Sequence, residues 1–248
     1  MDVDAYLALL GMEFQISPDL ETLERLQRAH LTVVPFENLD VYARRGVRTD
    51  DFWSVTKVVE TRRGGWCFEL NGAFAALLAE LGYEVTRHAA TVLFSQSTSI
   101  PTHLALKIEL DRPYLVDVGF GDSFIRPLPL DSEGPHDGGS GQFGFRFEDD
   151  LTTLVAFGEN GVAEPQYRFD MTPRRTADFD EVSLLLQTQP GLQWTKTRFA
   201  TRLLDGGPDR VTLLEGRLKH RHDGTWTETP VDDAEWDDML EEWFGLTP

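Results

Sequence analysis

The chain has 248 residues, enough to bury a substantial core, and its 41% hydrophobic and 26% charged residues are typical of a globular protein. The formal net charge of −19 argues against nucleic-acid binding, which needs clustered cations, and no apolar run approaches the ~20 residues of a membrane span. Because the first residues, MDVDAYLALLGMEF, lack the basic start of a signal peptide, we expect a cytoplasmic protein without a membrane partner.

The first part of the chain, residues 1–85, predicts a small helical domain. Ser17 followed by Pro18 is typical of a helix start, and Leu20, Leu23, Leu26 and Leu31 then form an apolar stripe at helical spacing. Two more helices are predicted over 50–60 and 71–81, the second ending at Gly82.

The middle of the chain, residues 86–180, changes to a strand pattern. Apolar residues alternate cleanly in HLALKIEL, which predicts a strand with Leu104, Leu106, Ile108 and Leu110 on one face. Together with the other predicted strands this indicates an antiparallel sheet or barrel. The Pro- and Gly-rich segment 127–141 is predicted to be a mobile loop. The predicted strands cover 84–94, 103–110, 113–120 and 141–149.

The last part, residues 181–248, mixes both patterns. A helix is predicted over 178–190 and strands over 195–204, 210–221 and 225–231. The final helix, 232–245, places its apolar residues on one face, which we interpret as core packing. These residues are Trp236, Met239, Leu240, Trp243 and Phe244.

Cys67 is the only cysteine, which rules out an intramolecular disulfide. We expect no metal site, since no second thiol exists and the six histidines are scattered, with His220 and His222 in a stretch that looks exposed. Two interpretations of Cys67 therefore remain: a small buried apolar residue, or a nucleophile.

The neighbours of Cys67 strengthen the nucleophile interpretation until the two interpretations are about equal. Gly64 and Gly65 permit a tight turn just before it, and helix formers follow. A cysteine at a helix N-terminus meets the positive end of the helix dipole and unpaired N–H groups, which favour the thiolate. The same amides could stabilise an oxyanion.

A cysteine nucleophile needs a histidine base and a carboxylate that orients the histidine. His103 begins one predicted strand and Asp117 lies in the next, so both side chains share a face if the pairing register is even. Asp117 stands between two valines, where a carboxylate needs a partner. The alternative base, His88, has no obvious carboxylate beside it.

Four segments resemble motifs of the arylamine N-acetyltransferase family: VPFENLDV (34–41), RRGGWCFELN (62–71), PTHLALKIEL (101–110) and LVDVGFGD (115–122). The segment YRFDMTPRRTADFD (167–180) continues the similarity. The resemblance implies an α+β fold with a helical domain, an antiparallel β-barrel and a C-terminal α/β lid, and a Cys-His-Asp triad like that of cysteine proteases.

The same resemblance implies roles for individual residues. Cys67 would carry the acyl group, His103 would be the base and Asp117 would orient it. Thr102 and the Cys67 backbone would form an oxyanion hole, and Phe36 would line the acceptor pocket. Gly121 and Trp194 would lie near coenzyme A, and Glu37 with Arg63 would form an ion pair near the site. The implied reaction moves an acetyl group from acetyl-CoA to an arylamine or hydrazine, without a metal.

Three alternatives remain open. The segment QPGLQW, 189–194, departs from the family pattern near coenzyme A, which leaves room for an amide synthase that takes its acyl group from an acyl carrier protein. A Cys-His-Asp hydrolase would share the triad and release product to water. A binding module with a buried Cys67 would lose nothing when that residue is changed to Ala.

Overall fold

The computed structural model of the protein describes residues 1–12, 16–93, 100–158 and 160–248. The helices are α1 Val3–Leu9, α2 Leu20–Val33, α3 Leu39–Tyr42, α4 Asp51–Val55, α5 Cys67–Glu80, α6 Asp180–Thr188, α7 Gln193–Lys196 and α8 Trp236–Phe244, with a π-helix Thr56–Glu60 and a 3-10 helix Thr176–Phe179. The strands are β1 Phe36–Glu37, β2 Glu84–Val92, β3 His103–Glu109, β4 Pro113–Val116, β5 Leu128–Pro129, β6 His136–Asp137, β7 Gln142–Glu148, β8 Leu151–Phe157, β9 Ala163–Asp170, β10 Phe199–Leu203, β11 Arg210–Leu214, β12 Arg217–His222 and β13 Thr225–Pro230.

The helical part packs around α5, in which nearly every residue is buried because helices α1 and α4 and the strands β2 and β3 all contact it. The predicted start of α2 is wrong: its N-cap is Asp19, whose carboxylate accepts a hydrogen bond from Thr22 N at 2.8 Å, rather than Ser17. Leu20 is 38% exposed and so does not belong to the buried stripe. Gly82 follows the end of α5 with φ +90°, a conformation that favours glycine.

The middle of the chain forms an eight-stranded antiparallel sheet in the order β5-β4-β3-β2-β9-β8-β7-β6. Its outer strands β5 and β6 approach each other, so the sheet is a nearly closed barrel around a core that includes Phe124 and Tyr167. Four of these strands were not predicted, namely β8, β9 and the short β5 and β6; in β9, Pro165 and exposed polar residues hide the alternation. The predicted mobile loop 127–141 contains β5 and β6.

The C-terminal part forms a second antiparallel sheet in the order β1-β10-β11-β12-β13, to which the N-terminal part contributes β1. Helix α8 covers one face of this sheet with Trp236, Leu240 and Phe244, as its apolar pattern predicts. The strand predicted over 195–204 begins only at Phe199, because Gln193–Lys196 forms α7. Within the described part of the chain, no helix has the length and apolar character needed to cross a membrane.

Candidate active site

Cys67 is the first residue of α5 and only 5% exposed. Trp66 is the N-cap, and its backbone N–H donates to Glu69 Oε2 at 3.2 Å. The Glu69 carboxylate also accepts bonds from Trp53 Nε1 at 3.1 Å and Lys57 Nζ at 2.8 Å. The start of the helix, and with it the sulfur, is therefore held by a buried polar network. The prediction of a cysteine at a helix N-terminus is confirmed.

The two glycines before Cys67 are needed for close approach rather than for a turn. A Cβ on Gly64 would lie 2.2 Å from Pro35 O, and one on Gly65 would lie 2.7 Å from Glu69 Oε2. In the segment that precedes Cys67, the left-handed backbone conformation belongs to Arg62, at φ 54°. Because both positions lack a Cβ, residues 64–65 lie against β1: Gly65 bridges Phe36, and Glu37 N donates to Gly65 O at 2.9 Å.

His103 and Asp117 meet through the even register of β3 and β4. Leu106 pairs with Val116, so odd-numbered residues of the two segments share a face. The His103 Nε2 atom lies 2.6 Å from Asp117 Oδ2. The Cys67 thiol lies within hydrogen-bonding reach of the same imidazole. The structure therefore brings the three predicted side chains together in the order Cys67, His103, Asp117.

The Asp117 carboxylate has three further donors that the sequence did not reveal. Oδ1 accepts from Asn71 Nδ2 at 2.8 Å and from Gly119 N at 2.9 Å. Oδ2 accepts from the Tyr167 hydroxyl at 3.1 Å. Asn71 lies one helical turn after Cys67, so its spacing could have suggested it; Tyr167 comes from β9, which was not predicted.

These contacts decide the charge of His103. Burial lowers the pKa of His103, but the charge and hydrogen bond of Asp117, with a smaller contribution from Cys67, more than offset it and raise the pKa to about 10. The imidazolium is thus the stable form at neutral pH. The imidazolium therefore places a proton donor beside the Cys67 sulfur.

Glu37 and Arg63 belong to the buried network beside the site, but their mutual contact is long, 3.9 Å. Arg63 is closer to Asp40, at 3.3 Å, and donates to Thr247 O at 2.5 Å. Glu37 Oε2 accepts from Leu39 N at 2.5 Å. The central cation is Lys57, which the sequence did not reveal; it lies 2.8 Å from both Asp40 and Glu69.

Phe36, Trp194 and Gly121 lie together next to the Cys67 end of α5. The rings of Phe36 and Trp194 are 6.2 Å apart, and Trp194 is 5.8 Å from the ring of Trp66. A Cβ on Gly121 would lie 3.6 Å from the Phe36 ring. Thr102 turns its carbonyl oxygen to the site, where it accepts a bond from Cys67 Sγ at 3.7 Å. A carbonyl cannot donate, so an oxyanion-hole role of Thr102 would need its N–H or hydroxyl.

The remaining histidines lie in other surroundings. His88 Nδ1 is 3.1 Å from Asp170 O, and burial lowers its pKa. Among the described residues, one group could hold a metal ion: Asp209, His222 and Asp223, which lie on the surface at one end of β12. His222 Nδ1 is already 2.8 Å from an Asp209 carboxylate oxygen. The expectation of no metal stays a prediction.

The sequence and the structure both match known proteins. A family model described as N-acetyltransferase matches residues 19–247. The arylamine N-acetyltransferase of Escherichia coli (strain K12) is 30% identical over 253 residues, which cover 97% of this chain and 87% of that protein. These relatives do not support the alternative of an amide synthase with a carrier-protein donor.

Two solved structures agree with the fold. The arylamine N-acetyltransferase of Salmonella typhimurium superposes with a TM-score of 0.93 at 28% identity, covering 98% of this chain and 90% of that one. The enzyme of Mycobacterium marinum, solved in complex with CoA, gives a TM-score of 0.90 at 29% identity, covering 98% and 92%. The mixed fold with its barrel is thereby confirmed.

Proposed function

The chain belongs to the arylamine N-acetyltransferase family, and from this premise we propose that Cys67 accepts the acetyl group of acetyl-CoA as a thioester and passes it to the nitrogen of an arylamine or hydrazine. The observation that carries the proposal is the 2.6 Å contact of His103 with Asp117, with Cys67 in reach of the same imidazole. The CoA bound by the M. marinum relative supports acetyl-CoA as the donor.

The first half-reaction loads the enzyme. The Cys67 thiolate attacks the carbonyl carbon of the acetyl thioester, and the N–H groups at the start of α5 receive the negative charge that develops on the oxygen. The intermediate then expels the CoA sulfur, and the His103 imidazolium protonates it. One C–S bond forms and one breaks, so no redox partner is needed.

The second half-reaction unloads it. The amine nitrogen attacks the acetyl carbon on Cys67, His103 takes the proton from nitrogen, and the Cys67 sulfur leaves. Asp117 keeps the imidazole in one orientation throughout, because its other oxygen is fixed by Asn71 and Gly119. Phe36 and Trp194 offer an aromatic wall for the acceptor ring and for the thioester arm of the donor.

Intact-protein mass spectrometry after brief mixing with acetyl-CoA tests the proposal. Because Cys67 is the only cysteine, a thioester can form at one position alone. We expect one acetyl group on the wild type, none on Cys67→Ala, and discharge of the acetyl group when aniline is added. A wild type that stays unmodified, or an equal adduct on Cys67→Ala, would refute the thioester.

The same experiment separates the neighbouring activities. Discharge at the same rate with and without aniline would indicate a hydrolase. Because the pKa of His103 is raised to about 10, loading should stay efficient through neutral pH and fall as the pH rises through that value, where the imidazolium that protonates the leaving CoA sulfur is lost. Loading that already falls near pH 6.5, the ordinary value for histidine, would contradict the assigned role of Asp117.

A further inference from the structure

The segment 190–198 brings Trp194 to the candidate active site but buries little of its own surface. Its helix α7 has four residues, and none of them is buried. Leu192 and Trp194 contact the core only as partly buried side chains. A cavity of about 350 Å³ lies between this segment and α3. Apolar packing alone therefore determines the position of Trp194 only weakly.

The side chain of Asn38 holds this segment in place. Asn38 directly follows β1 and is 1% exposed. Its Nδ2 donates to Trp194 O at 2.9 Å and to Thr197 O at 2.8 Å, and its Oδ1 accepts from Phe199 N at 2.9 Å. A carbonyl oxygen can only accept and a backbone N–H can only donate, so these partners fix the orientation of the amide. Both N–H groups and the oxygen of one buried side chain are thus engaged by six consecutive residues, 194–199.

The three bonds extend a strand pairing beyond its end. The register of β1 with β10 ends at the pair of Glu37 with Ala200. Asn38 is the next residue along the chain, and Phe199 is the first residue of β10. The Asn38 side chain therefore fixes the residues that precede β10, where the backbone ladder of the two strands no longer does.

The backbone held by Asn38 carries two of the rings beside the site. The rings of Trp194 and Phe199 lie 6.2 Å and 5.4 Å from the ring of Phe36. The Trp194 ring also lies 5.8 Å from that of Trp66, the residue before the nucleophile. Because Asn38 bonds the backbone of both Trp194 and Phe199, a loss of its bonds would move the rings against which an aromatic ligand packs.

We infer that Asn38 is a positioning residue, whose three hydrogen bonds hold Trp194 where the ring of an aromatic acceptor packs against it. The inference rests on the proposed function for the reaction itself. The side-chain bonds of Asn38 go to residues 194–199 and not to Cys67, His103 or Asp117. Its effect is therefore confined to acceptors that have a ring. Hydrazine has a nucleophilic nitrogen and no ring, so it meets the same acetyl group and the same imidazole without needing Trp194.

The test follows the discharge of acetyl-Cys67, formed beforehand with acetyl-CoA, by aniline and by hydrazine. Both reactions start from the same acetyl-enzyme, so differences in loading cancel in the ratio of the two rate constants. We expect the ratio of aniline to hydrazine to fall about fivefold in Asn38→Ala, the factor for one lost aromatic contact. Asn38→Asp should lower the ratio as well, because a carboxylate of the same shape can still accept from Phe199 N but cannot donate. Equal losses with both acceptors, or an unchanged ratio in both variants, would overturn the inference.

A double-mutant cycle separates positioning from a general effect on the fold. Trp194→Ala should lower the ratio by about the same factor, and Asn38→Ala should add nothing in that background, because both changes remove the same contact. Additive losses would overturn the inference. Gln187→Ala is the matched control, since this amide also holds a distant backbone, donating to Val47 O at 3.0 Å and accepting from Val47 N at 2.8 Å. The control should keep the wild-type ratio, and an equal fall in it would count against a specific role of Asn38.

Hydrogen exchange measured by mass spectrometry examines the same bonds without turnover. We expect the amides of residues 194–199 to exchange about fivefold faster in Asn38→Ala than in the wild type and in Gln187→Ala, because the Phe199 N–H loses its acceptor and the segment its anchor. Unchanged exchange would overturn the inference, whatever reaction Cys67 performs. Faster exchange in a protein whose Cys67 takes no acetyl group would instead refute the proposed function and leave the positioning of Trp194 by Asn38 in place.

Discussion

Gly119→Ala tests how closely the loop after Asp117 packs on the nucleophile. A Cβ at this position would lie 2.7 Å from Cys67 Cα, 3.0 Å from Asn71 Nδ2 and 3.2 Å from Cys67 O. Carbon atoms in contact prefer about 3.5–4.0 Å, so the loop or the start of α5 must move by roughly 1 Å. Gly119 does not have a left-handed φ, so the penalty is steric alone.

Two consequences follow from that displacement. The bond from Gly119 N to Asp117 Oδ1, 2.9 Å in the wild type, would be stretched, and the distance between Cys67 and His103 would change. Overpacking of a buried site costs about 1–3 kcal/mol of stability. A misplacement of about 1 Å at reacting groups costs about 100-fold in rate. We therefore expect kcat to fall about 100-fold, with KM for acetyl-CoA nearly unchanged.

Steady-state kinetics and urea unfolding check both numbers. Gly72→Ala is the matched control, because it lies on α5 beside Asn71 and its Cβ would meet nothing nearer than Ser54 Oγ at 3.4 Å. This control should be neutral or more stable by up to about 1 kcal/mol, as expected for alanine in a helix. If Gly119→Ala kept kcat within about threefold of the wild type, the close packing would not be what positions the triad.

Three further perturbations address the buried charges. Asp117→Asn should lower kcat by about 10⁴-fold, because an amide no longer favours the reactive orientation and charge of His103. An NMR titration of the imidazole should show a pKa below the wild-type value of about 10, and an unchanged titration would contradict this expectation. Lys57→Met should destabilise the fold by about 3–5 kcal/mol, since it leaves Glu69 buried without its cation. Burial raises the pKa of Glu69, so Lys57→Met should lose more stability near pH 8, where the carboxylate is charged, than near pH 5. Urea unfolding at these two pH values measures the difference. His30 is buried and its pKa is lowered to about 3, so between about pH 6.5 and 3 only the unfolded chain binds this proton. The free energy of unfolding should therefore fall by up to about 1.4 kcal/mol for each unit by which the pH is lowered in this range. The variant His30→Gln should lack this part of the slope, and identical slopes in the two proteins would refute the assignment.

The buried side of several elements was predictable because local patterns determine it. The alternation in HLALKIEL is present in β3, and the apolar face of 232–245 packs as α8. The position of Cys67 at a helix start follows from the residues around it, whereas the even register that brings His103 and Asp117 to one face was only a condition in the sequence and is set by the pairing of β3 with β4. Short-range periodicity and chain connectivity are properties of the sequence itself.

Other features depend on contacts between distant segments. Tyr167 reaches Asp117 only because β9 returns beside β2, and Lys57 joins Asp40 to Glu69 across the helical part. The role of Gly64 as a point of close approach to Pro35 likewise becomes visible only when both segments are in place.

The amino-acid sequence by itself therefore determined the family, pointed to the three side chains that the structure brings together as a candidate triad, and indicated most of the helices and strands, since each depends on residues close together in the chain or on matching motifs. The tertiary structure alone decided which groups surround Asp117, which cation compensates the buried carboxylates, and which strands pair in the two sheets. Charge compensation and strand register arise from segments far apart in sequence, and no local pattern encodes which of them will meet.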